Sequence, residues 1–287
     1  MGTAVPELHA LSPTRYFLGS EHSRYHHLVQ RMGASRKVGL ARALSKLGYC
    51  SRSQAFKLIR SGHVRLNGRL RSDPQTPVSL ERDRIEVDHR ALDGQPKIYL
   101  MLNKPRGIIT SAADEKGRET VYDLLDEDLP WVTPVGRLDK ASEGLLLLTN
   151  DSEWSARVLA PQTHLAKTYH VQVGVVADIE ILETICKGVR DGRDLLSARS
   201  AHILRHGERN SWLEVVLDEG KNRHIRRMLA RLGIEVLRLV RVGIGPLELG
   251  ELTKGSVRRL MAEEKKTLDR AMEGSQTANR RSSPTAS

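Results

Sequence analysis

Asp139 is the acidic residue whose setting best fits catalysis. It lies in a glycine-bounded loop directly before the apolar run 145–148, with Arg137 and Lys140 beside it. Loops held by buried strands are common positions for catalytic groups. A carboxylate between two cations stays ionised at neutral pH and can act as a nucleophile or a base. An aspartate in such a loop is also a common turn or capping residue, so both interpretations stay open at this point.

A basic segment at residues 221–231 could bind phosphate. Five of its eleven residues are basic and none is acidic, and its apolar residues recur at helical spacing. Lys221 and Arg223 fall where the predicted helix begins, and basic side chains next to free helical amides form an anion site. A solvated helix face is the alternative interpretation.

Several other kinds of chemistry lack support in the sequence. The two cysteines, Cys50 and Cys186, form no C-x-x-C pair, which argues against a disulfide framework or a thiolate zinc site and fits a reducing cytoplasm. His202 and His206 have an i, i+4 spacing, but no glutamate adjoins the first and the segment has a strand pattern. Neither a G-x-x-x-x-G-K-[ST] loop nor a dinucleotide fingerprint occurs. We therefore predict an active site without metal or cofactor.

Charge and apolar pattern divide the 287-residue chain into four predicted parts. Residues 1–37, with 5 basic and 2 acidic residues, form a flexible basic extension, for which an organellar import signal is the alternative. Residues 38–97 hold 12 basic and 6 acidic residues, which gives over half of the net charge of +11. Residues 98–262 are nearly neutral, and the polar tail at 263–287 is predicted to be disordered. No apolar run approaches the roughly 18 residues of a membrane span.

The unit at 38–97 reads as two short helices followed by a small sheet. Apolar residues recur at helical spacing in 40–47 and 55–59, and Asn67-Gly68 predicts a tight hairpin turn. Its basic surface favours a nucleic acid over a membrane as partner. The stretch LARALSKLGYCSRSQAFKLIRSGHVRLNG resembles an S4 domain, a small RNA-binding module. The resemblance implies structured RNA as partner, and we predict that RNA is contacted by Arg42, Arg52, Arg65 and Arg69.

Strand and helix patterns mix in residues 98–262 without a regular βαβ repeat, which predicts an α+β domain around a mixed, largely antiparallel sheet with flanking helices. Strands are predicted at 98–102, 130–135, 144–149, 167–175, 199–204, 211–217 and 234–242. Helices are predicted at 119–125, 153–160, 179–189, 224–233 and 256–264. Tyr169 alternates with valines in its predicted strand and by itself reads as a half-buried core residue.

Four motifs in this domain together resemble one enzyme family. GRLDKASEGLLLLTND is the strongest, and LNKPRG, KTYHV and EGKNRHIRRM support it. In their order along the chain they resemble the RsuA-type pseudouridine synthases, of the RluB, RluE and RluF branch. The resemblance spans residues 38–262 and implies that uridine in RNA is isomerised to pseudouridine. It further implies Asp139 as the catalytic aspartate, Tyr169 as the residue that stacks on the base, and Arg226 as the basic partner of the aspartate.

The resemblance leaves parts of the mechanism open. Arg223 and Arg227 lie close to Arg226 in sequence and could pair with the aspartate instead. The aspartate could attack the nucleotide covalently or remove a ribose proton to form a glycal. A target base inside folded RNA has to be flipped out, at a cost of a few kcal/mol. We predict that phosphate contacts offset this cost, made by Arg137, Lys140, Lys221 and Arg223. Arg227 is predicted to contact the RNA as well.

Large-subunit ribosomal RNA is the substrate favoured by the resemblance, and we predict a cytoplasmic monomer that needs no protein partner. Two other classes of protein also fit the charge. A non-catalytic RNA-binding or ribosome-assembly protein would explain the S4-like unit but not the setting of Asp139. A DNA-binding regulator would explain the net charge, yet neither helix pair shows a dimerisation segment or a clear recognition helix.

Overall fold

The structure is a computed structural model that describes residues 37–111 and 117–281, with side chains described as far as residue 273. The predicted basic extension at 1–37 lies outside the described residues except for Lys37. A small N-terminal unit precedes a larger unit built on a nine-stranded sheet. Within the described ranges, no helix is both long and apolar enough to cross a membrane.

Two helices and short strands form the N-terminal unit. The helices are α1 (Leu40–Lys46) and α2 (Arg52–Arg60). The strands are β1 (Val38–Gly39), β2 (Val64–Leu66), β3 (Arg69–Leu70), β4 (Pro77–Val78), β5 (Ile85–Val87) and β6 (Arg90–Ala91). β1 pairs with β4, and the others form a sheet in the order β3-β2-β5-β6. Both predicted helices and the predicted hairpin are confirmed.

Local sequence explains the N-terminal unit. Ser51 and Gln54 form a reciprocal capping box that begins α2, with hydrogen bonds of 2.9 and 3.1 Å. Asn67 and Gly68 turn the hairpin with φ of 52° and 76°, the left-handed pair that a tight two-residue turn needs. The apolar sides of both helices pack on the small sheet, and Ile59 is fully buried there.

The larger unit confirms the predicted α+β class. Its strands are β7 (Tyr99–Lys104), β8 (Thr133–Val135), β9 (Glu143–Thr149), β10 (Lys167–Val173), β13 (Ser200–His206), β14 (Ser211–Leu217), β15 (Val236–Ile244), β16 (Leu247–Glu248) and β17 (Val257–Arg259). The main order is β13-β14-β10-β15-β9-β7-β17, with β8 beside β9 and β16 beside β15. Every pairing is antiparallel except that of β15 with β9.

Helices cover this sheet and create its core. They are α3 (Ser152–Leu159), α4 (Ile179–Lys187), α5 (His224–Arg231) and α6 (Ala262–Arg281), with 3₁₀ turns at Val121–Leu124 and Pro161–Thr163 and a small hairpin of β11 (Val189–Asp191) and β12 (Asp194–Leu196). β9 is central and buried on both faces. Leu145 and Leu147 pack with α3 and α6, whereas Leu146 and Leu148 pack against the 3₁₀ turn at Val121–Leu124.

Two predicted segments near the C-terminus were wrong. The predicted helix at 256–264 is split, because Val257–Arg259 pairs with β7 as an edge strand and the helix begins only at Ala262. The tail predicted to be disordered from 263 is helical as far as Arg281. Leu268 and Met272, four residues apart, are buried against α3, so two apolar side chains on one helix face hold a segment whose composition is mostly polar.

The two units contact each other directly. The amide of Trp131 donates to the carbonyl oxygen of Gly48 at 3.0 Å. Lys46 of α1 forms an ion pair of 3.3 Å with Glu153 of α3. The side chain of Asn150 donates to the carbonyl oxygen at residue 96 at 2.9 Å, which holds the predicted linker against the larger unit. The helices of the N-terminal unit therefore lie beside the strands that lead to Asp139.

Candidate active site

A cavity of about 480 Å³ opens where the loop before β9, strand β10 and the start of α5 meet. Asp139 and Tyr169, the two residues predicted to act on the base, both line it. Among the side chains that line it, Asp139 is the one carboxylate. The basic ones are Arg137, Lys167, Lys221, Arg223 and Arg241. This excess of positive charge suits a polyanionic ligand.

The loop that carries Asp139 is held at both ends. It joins the antiparallel strands β8 and β9. The amide of Ser142 donates to the carbonyl oxygen of Asp139 at 2.9 Å and closes a turn. Leu138, the residue before the aspartate, is buried in the apolar core. The carboxylate is therefore presented from a fixed backbone, with about a third of its side chain exposed.

Lys104 supports the same loop from the interior. Its side chain is fully buried. Its Nζ donates to the carbonyl oxygen of Ser142 at 2.9 Å and to that of Asp139 at 3.3 Å. The third contact, to the carbonyl oxygen of Pro105, is 3.0 Å long. Burial lowers the pKa of Lys104 to about 8. An ammonium group has three donors, and here all three hold backbone around the aspartate.

Replacing Lys104 with Met is expected to lower kcat about 100-fold, because a displacement of the loop by about 1 Å moves the carboxylate out of its reactive position. Single-turnover measurement of product formation checks this. Lys97→Met is the matched control, because Lys97 is exposed and donates to a single carbonyl oxygen at 3.5 Å. A control variant as slow as Lys104→Met would contradict the assignment.

The pH profile distinguishes a positioning role from a packing role for Lys104. Its pKa of about 8 means that the ammonium loses a proton above that pH and with it one donor to the loop. We therefore expect the wild-type rate to fall as pH rises through about 8 and the profile of Lys104→Met to lack this descending limb. A descending limb at the same pH in Lys104→Met would show that another group causes it.

Arg223 is the guanidinium nearest to the carboxylate. Its Nη1 lies 4.0 Å from Oδ2 of Asp139. Arg223 caps the N-terminus of α5 in the left-handed region, with φ of 48°. That conformation is costly for a residue with a side chain and is typical of functional sites. The strained cap aims the arginine into the cavity instead of along the helix.

The structure places Arg226 differently from the resemblance. It is half-buried, and its guanidinium donates to the carbonyl oxygens of Ala141 at 2.9 Å and Val236 at 3.1 Å. It forms no ion pair with Asp139 and does not line the cavity. The reason is register, since a residue three positions into α5 faces the sheet whereas the cap faces the cavity. The guanidinium of Arg226 thus holds the backbone of the loop that carries Asp139.

Other predicted RNA contacts divide into two groups. Arg227 is held away from the cavity by ion pairs with Asp191 and Asp194, the latter 2.7 Å long, so it ties α5 to the β11–β12 hairpin. Lys140 is exposed and lines no cavity described here. Arg137 and Lys221 line the cavity that holds Asp139, and their contact with RNA stays a prediction.

Tyr169 lies on the cavity side of β10, between β14 and β15. Its ring packs partly against the apolar core, as its alternation with buried valines predicted. Leu217, Ile225 and Leu239 line the cavity with it. A base can stack on the aromatic ring, and the aliphatic side chains beside it extend the apolar surface.

Sequence reasoning missed three basic residues of the site. Lys104 lies two residues beyond the strand predicted at 98–102, whereas β7 extends to Lys104 and its side chain is buried, which is unusual for a lysine. Lys167 shares the Tyr169 face of β10, two residues earlier. Arg241 lies opposite Tyr169 on β15. The i, i+2 spacing of Lys167 and Tyr169 could have identified Lys167 as a site residue. Arg241 reaches the cavity only because distant strands pair.

A second cavity, also of about 480 Å³, lies between the two units. Arg42, Lys46 and Arg52 line it from α1 and α2, and Tyr122 and Trp131 line it from the other side. The two aromatic rings stack at 4.8 Å and 5°. Gly136 and Arg137 line both cavities, so basic surface continues from the N-terminal helices to Asp139. Arg65 and Arg69 lie on the hairpin and line neither cavity.

The described residues contain no group of three His, Cys, Asp or Glu side chains placed to hold a metal ion. His202 and His206 lie on strand β13. The cavity is lined by one carboxylate, a phenol, the Ser142 hydroxyl, the His224 imidazole and several cations. Joined to a basic helical module, they define an RNA-directed enzyme.

Comparison with known proteins gives the family. Residues 98–231 match the RNA pseudouridylate synthase family and residues 38–85 match the S4 domain. An uncharacterised RNA pseudouridine synthase of Aquifex aeolicus is 36% identical over 78% of this chain and 90% of its own length. The large-subunit pseudouridine synthase B of Bacillus subtilis is 33% identical over 80% of this chain and 94% of its own.

A solved pseudouridylate synthase is 30% identical, with a TM-score of 0.57 over 80% of this chain and 99% of the other. The chain therefore belongs to the RNA pseudouridine synthase family and carries an S4 domain at its N-terminus. This confirms the resemblance that the four motifs indicated. The alternative of a non-catalytic RNA-binding protein is not favoured, because the matches cover the catalytic unit as well as the S4 domain.

Proposed function

We propose that this enzyme isomerises uridine in ribosomal RNA, in the large subunit, with Asp139 as its catalytic group. One observation carries the proposal: Asp139 and Tyr169 line one basic cavity that continues to the S4 helices. The name of the Bacillus subtilis relative supports the large subunit as substrate. The proposed substrate implies the cytoplasm of a bacterial cell as its location, and the single-chain cavity is consistent with action as a monomer without a protein partner.

In the proposed reaction the N1–C1′ bond breaks, the uracil turns within the cavity, and C5 bonds to C1′. C5 loses its proton and N1 gains one, so no atom is gained or lost overall. Asp139 acts either by attack on C1′ or by removal of a ribose proton. Tyr169 stacks on the detached base and keeps it in place, which makes the second bond an intramolecular step. Arg223, whose Nη1 lies 4.0 Å from the carboxylate, orients it toward the nucleotide.

The second cavity supports a route for the RNA. Arg42 and Arg52 present cations from the S4 helices, and Arg137 lines both cavities. Phosphate contacts along this route would offset the cost of flipping the uridine out of its stack. The S4 unit then acts as the docking surface, and the uridine reaches the cavity at Asp139.

Tritium release from ribosomal RNA labelled at C5 of uridine tests the proposed function, because forming the C5–C1′ bond expels that hydrogen. We expect release with large-subunit RNA and none with small-subunit RNA. Mapping pseudouridines in RNA from cells that lack the gene identifies the position. Release from small-subunit RNA alone would refute the proposed substrate, and release from neither would refute the activity on ribosomal RNA.

Replacing both Arg42 and Arg52 with Gln is expected to weaken RNA binding and to reduce the slope of log K against log salt by about 2, one unit for each phosphate contact. Filter binding at several salt concentrations measures this slope. Lys187→Gln is the control, because Lys187 lines neither cavity and pairs with Glu183 on α4. An unchanged slope in the double variant would show that RNA docks elsewhere.

A further inference from the structure

Arg241 is a buried cation that lines the active-site cavity and has one donor without a hydrogen-bond partner. Only 6% of the residue is exposed. Its Nε donates to the carbonyl oxygen of Leu145 at 2.8 Å, whereas Nη2 is buried and has no hydrogen-bond partner. A buried donor without a partner costs about 1–3 kcal/mol, more when it is charged. A ligand in the cavity that supplied the hydrogen-bond acceptor would compensate this cost.

Lys167 adds a second cation to the same part of the cavity. It forms no ion pair within 4 Å with any residue that the structure describes. Burial lowers the pKa of Lys167 and the positive charge of Arg241 lowers it further, whereas the Asp218 carboxylate raises it by a smaller amount. Asp139, the carboxylate that lines the cavity, already faces Arg223. Asp218 forms its ion pair with Arg199 at 3.2 Å, so in the described part of the protein no carboxylate lies within 4 Å of Lys167 or Arg241.

We propose that Lys167 and Arg241 form a subsite for a phosphate of the RNA strand next to the reacting uridine. This rests on the proposed function. A phosphodiester carries a full negative charge and two free oxygens, which suits a guanidinium and an ammonium together. A neutral uracil carbonyl would leave the repulsion between the two cations uncompensated.

The place of the pair on the sheet fits a nucleotide. Lys167 and Tyr169 are two residues apart on one face of β10, which separates them by about 7 Å. Arg241 lies directly opposite Tyr169 on β15. A base stacked on Tyr169 would therefore have its own backbone beside the cation pair. Neither residue is needed to hold Asp139, since Lys104 and Arg226 do that.

Binding of uridine 3′,5′-bisphosphate and of plain uridine to the full chain tests this subsite by calorimetry. We expect the bisphosphate to bind at least about tenfold more tightly than uridine to the wild type, as a charge-assisted contact provides. Lys167→Met and Arg241→Gln should each lose this tenfold advantage and keep the wild-type affinity for uridine. Lys187→Met removes a charge outside both cavities and should bind both ligands as the wild type does.

Equal losses for uridine and the bisphosphate would overturn the proposal, because the pair would then contact the base or merely support the fold. Lys167→Met tests whether the pair merely supports the fold, because Lys167, unlike Arg241, does not donate to the carbonyl oxygen of Leu145. Wild-type affinity for the bisphosphate in both variants would also overturn it. Absence of tritium release with a retained tenfold difference refutes only the proposed function, and release without that difference refutes only the subsite.

Discussion

Asp139→Asn is expected to abolish pseudouridine formation, with a fall in rate of about 10⁴-fold or more, as for the loss of other catalytic side chains that act directly on substrate. The neutral amide can neither attack C1′ nor accept a ribose proton. The amide has the size of the carboxylate, and the loop is held by backbone contacts from Lys104 and Arg226. The variant should therefore keep the wild-type fold and bind RNA with nearly wild-type affinity.

Single-turnover tritium release and filter binding, measured on the same preparation, check both halves of this expectation. The ion pair of Asp139 with Arg223 is long, at 4.0 Å, and half-exposed, so its loss should change the free energy of unfolding by less than about 1 kcal/mol. Asp128→Asn is the control, because Asp128 is exposed and lines neither cavity. Turnover of Asp139→Asn within tenfold of the wild type would remove Asp139 from the mechanism.

Gly144→Ala is expected to destabilise the protein by about 4 kcal/mol or more, an unusually large effect for adding one methyl group. Gly144 lies where β9 meets β15 in parallel, and its φ is 101°. A Cβ there would lie 2.2 Å from the carbonyl oxygen and 2.8 Å from the nitrogen of Arg241. Neither backbone can move without separating β9 from β15, the strand that contributes Leu239 and Arg241 to the cavity.

Thermal unfolding measures this effect, and a fall in Tm of about 10 °C is expected for a unit of this size. Gly107→Ala is a matched control, because Gly107 has nearly the same φ, 100°, and a Cβ there would meet no atom within 4 Å. Its expected cost is the backbone strain alone, about 2 kcal/mol. Equal costs for the two variants would show that the approach of the strands at Gly144 is not tight.

Local patterns were enough to predict most elements, because each rests on contacts close in sequence. The capping box at Ser51 and the hairpin at Asn67 depend on side chains within three residues. The segment 256–264, predicted as one helix, and the tail beyond it were mispredicted, because an edge strand and a docked helix are stabilised by distant partners. Val257 pairs with Leu102, and Met272 packs in a core formed by α3.

The sequence predicted those residues of the candidate site that lie within one motif. It did not predict the residues that distant segments of the chain bring together. Asp139 and Tyr169 came from the motifs, and both line the cavity. The motifs left three arginines as possible partners of the aspartate, and the structure places Arg223 nearest to it through a left-handed helix cap. The sequence does not single out Arg241, because it is one of two basic residues in a strand that is otherwise rich in valine and leucine.

The sequence by itself determined the two modules, the order of their elements and the residues able to react, because periodicity, turn chemistry and motif spacing are local properties. The tertiary structure alone decided which cations surround the carboxylate and which instead hold backbone. That choice depends on strand register, on the parallel meeting of β9 with β15, and on the first turn of α5. Each of these joins residues far apart in the chain, and only packing can bring them together.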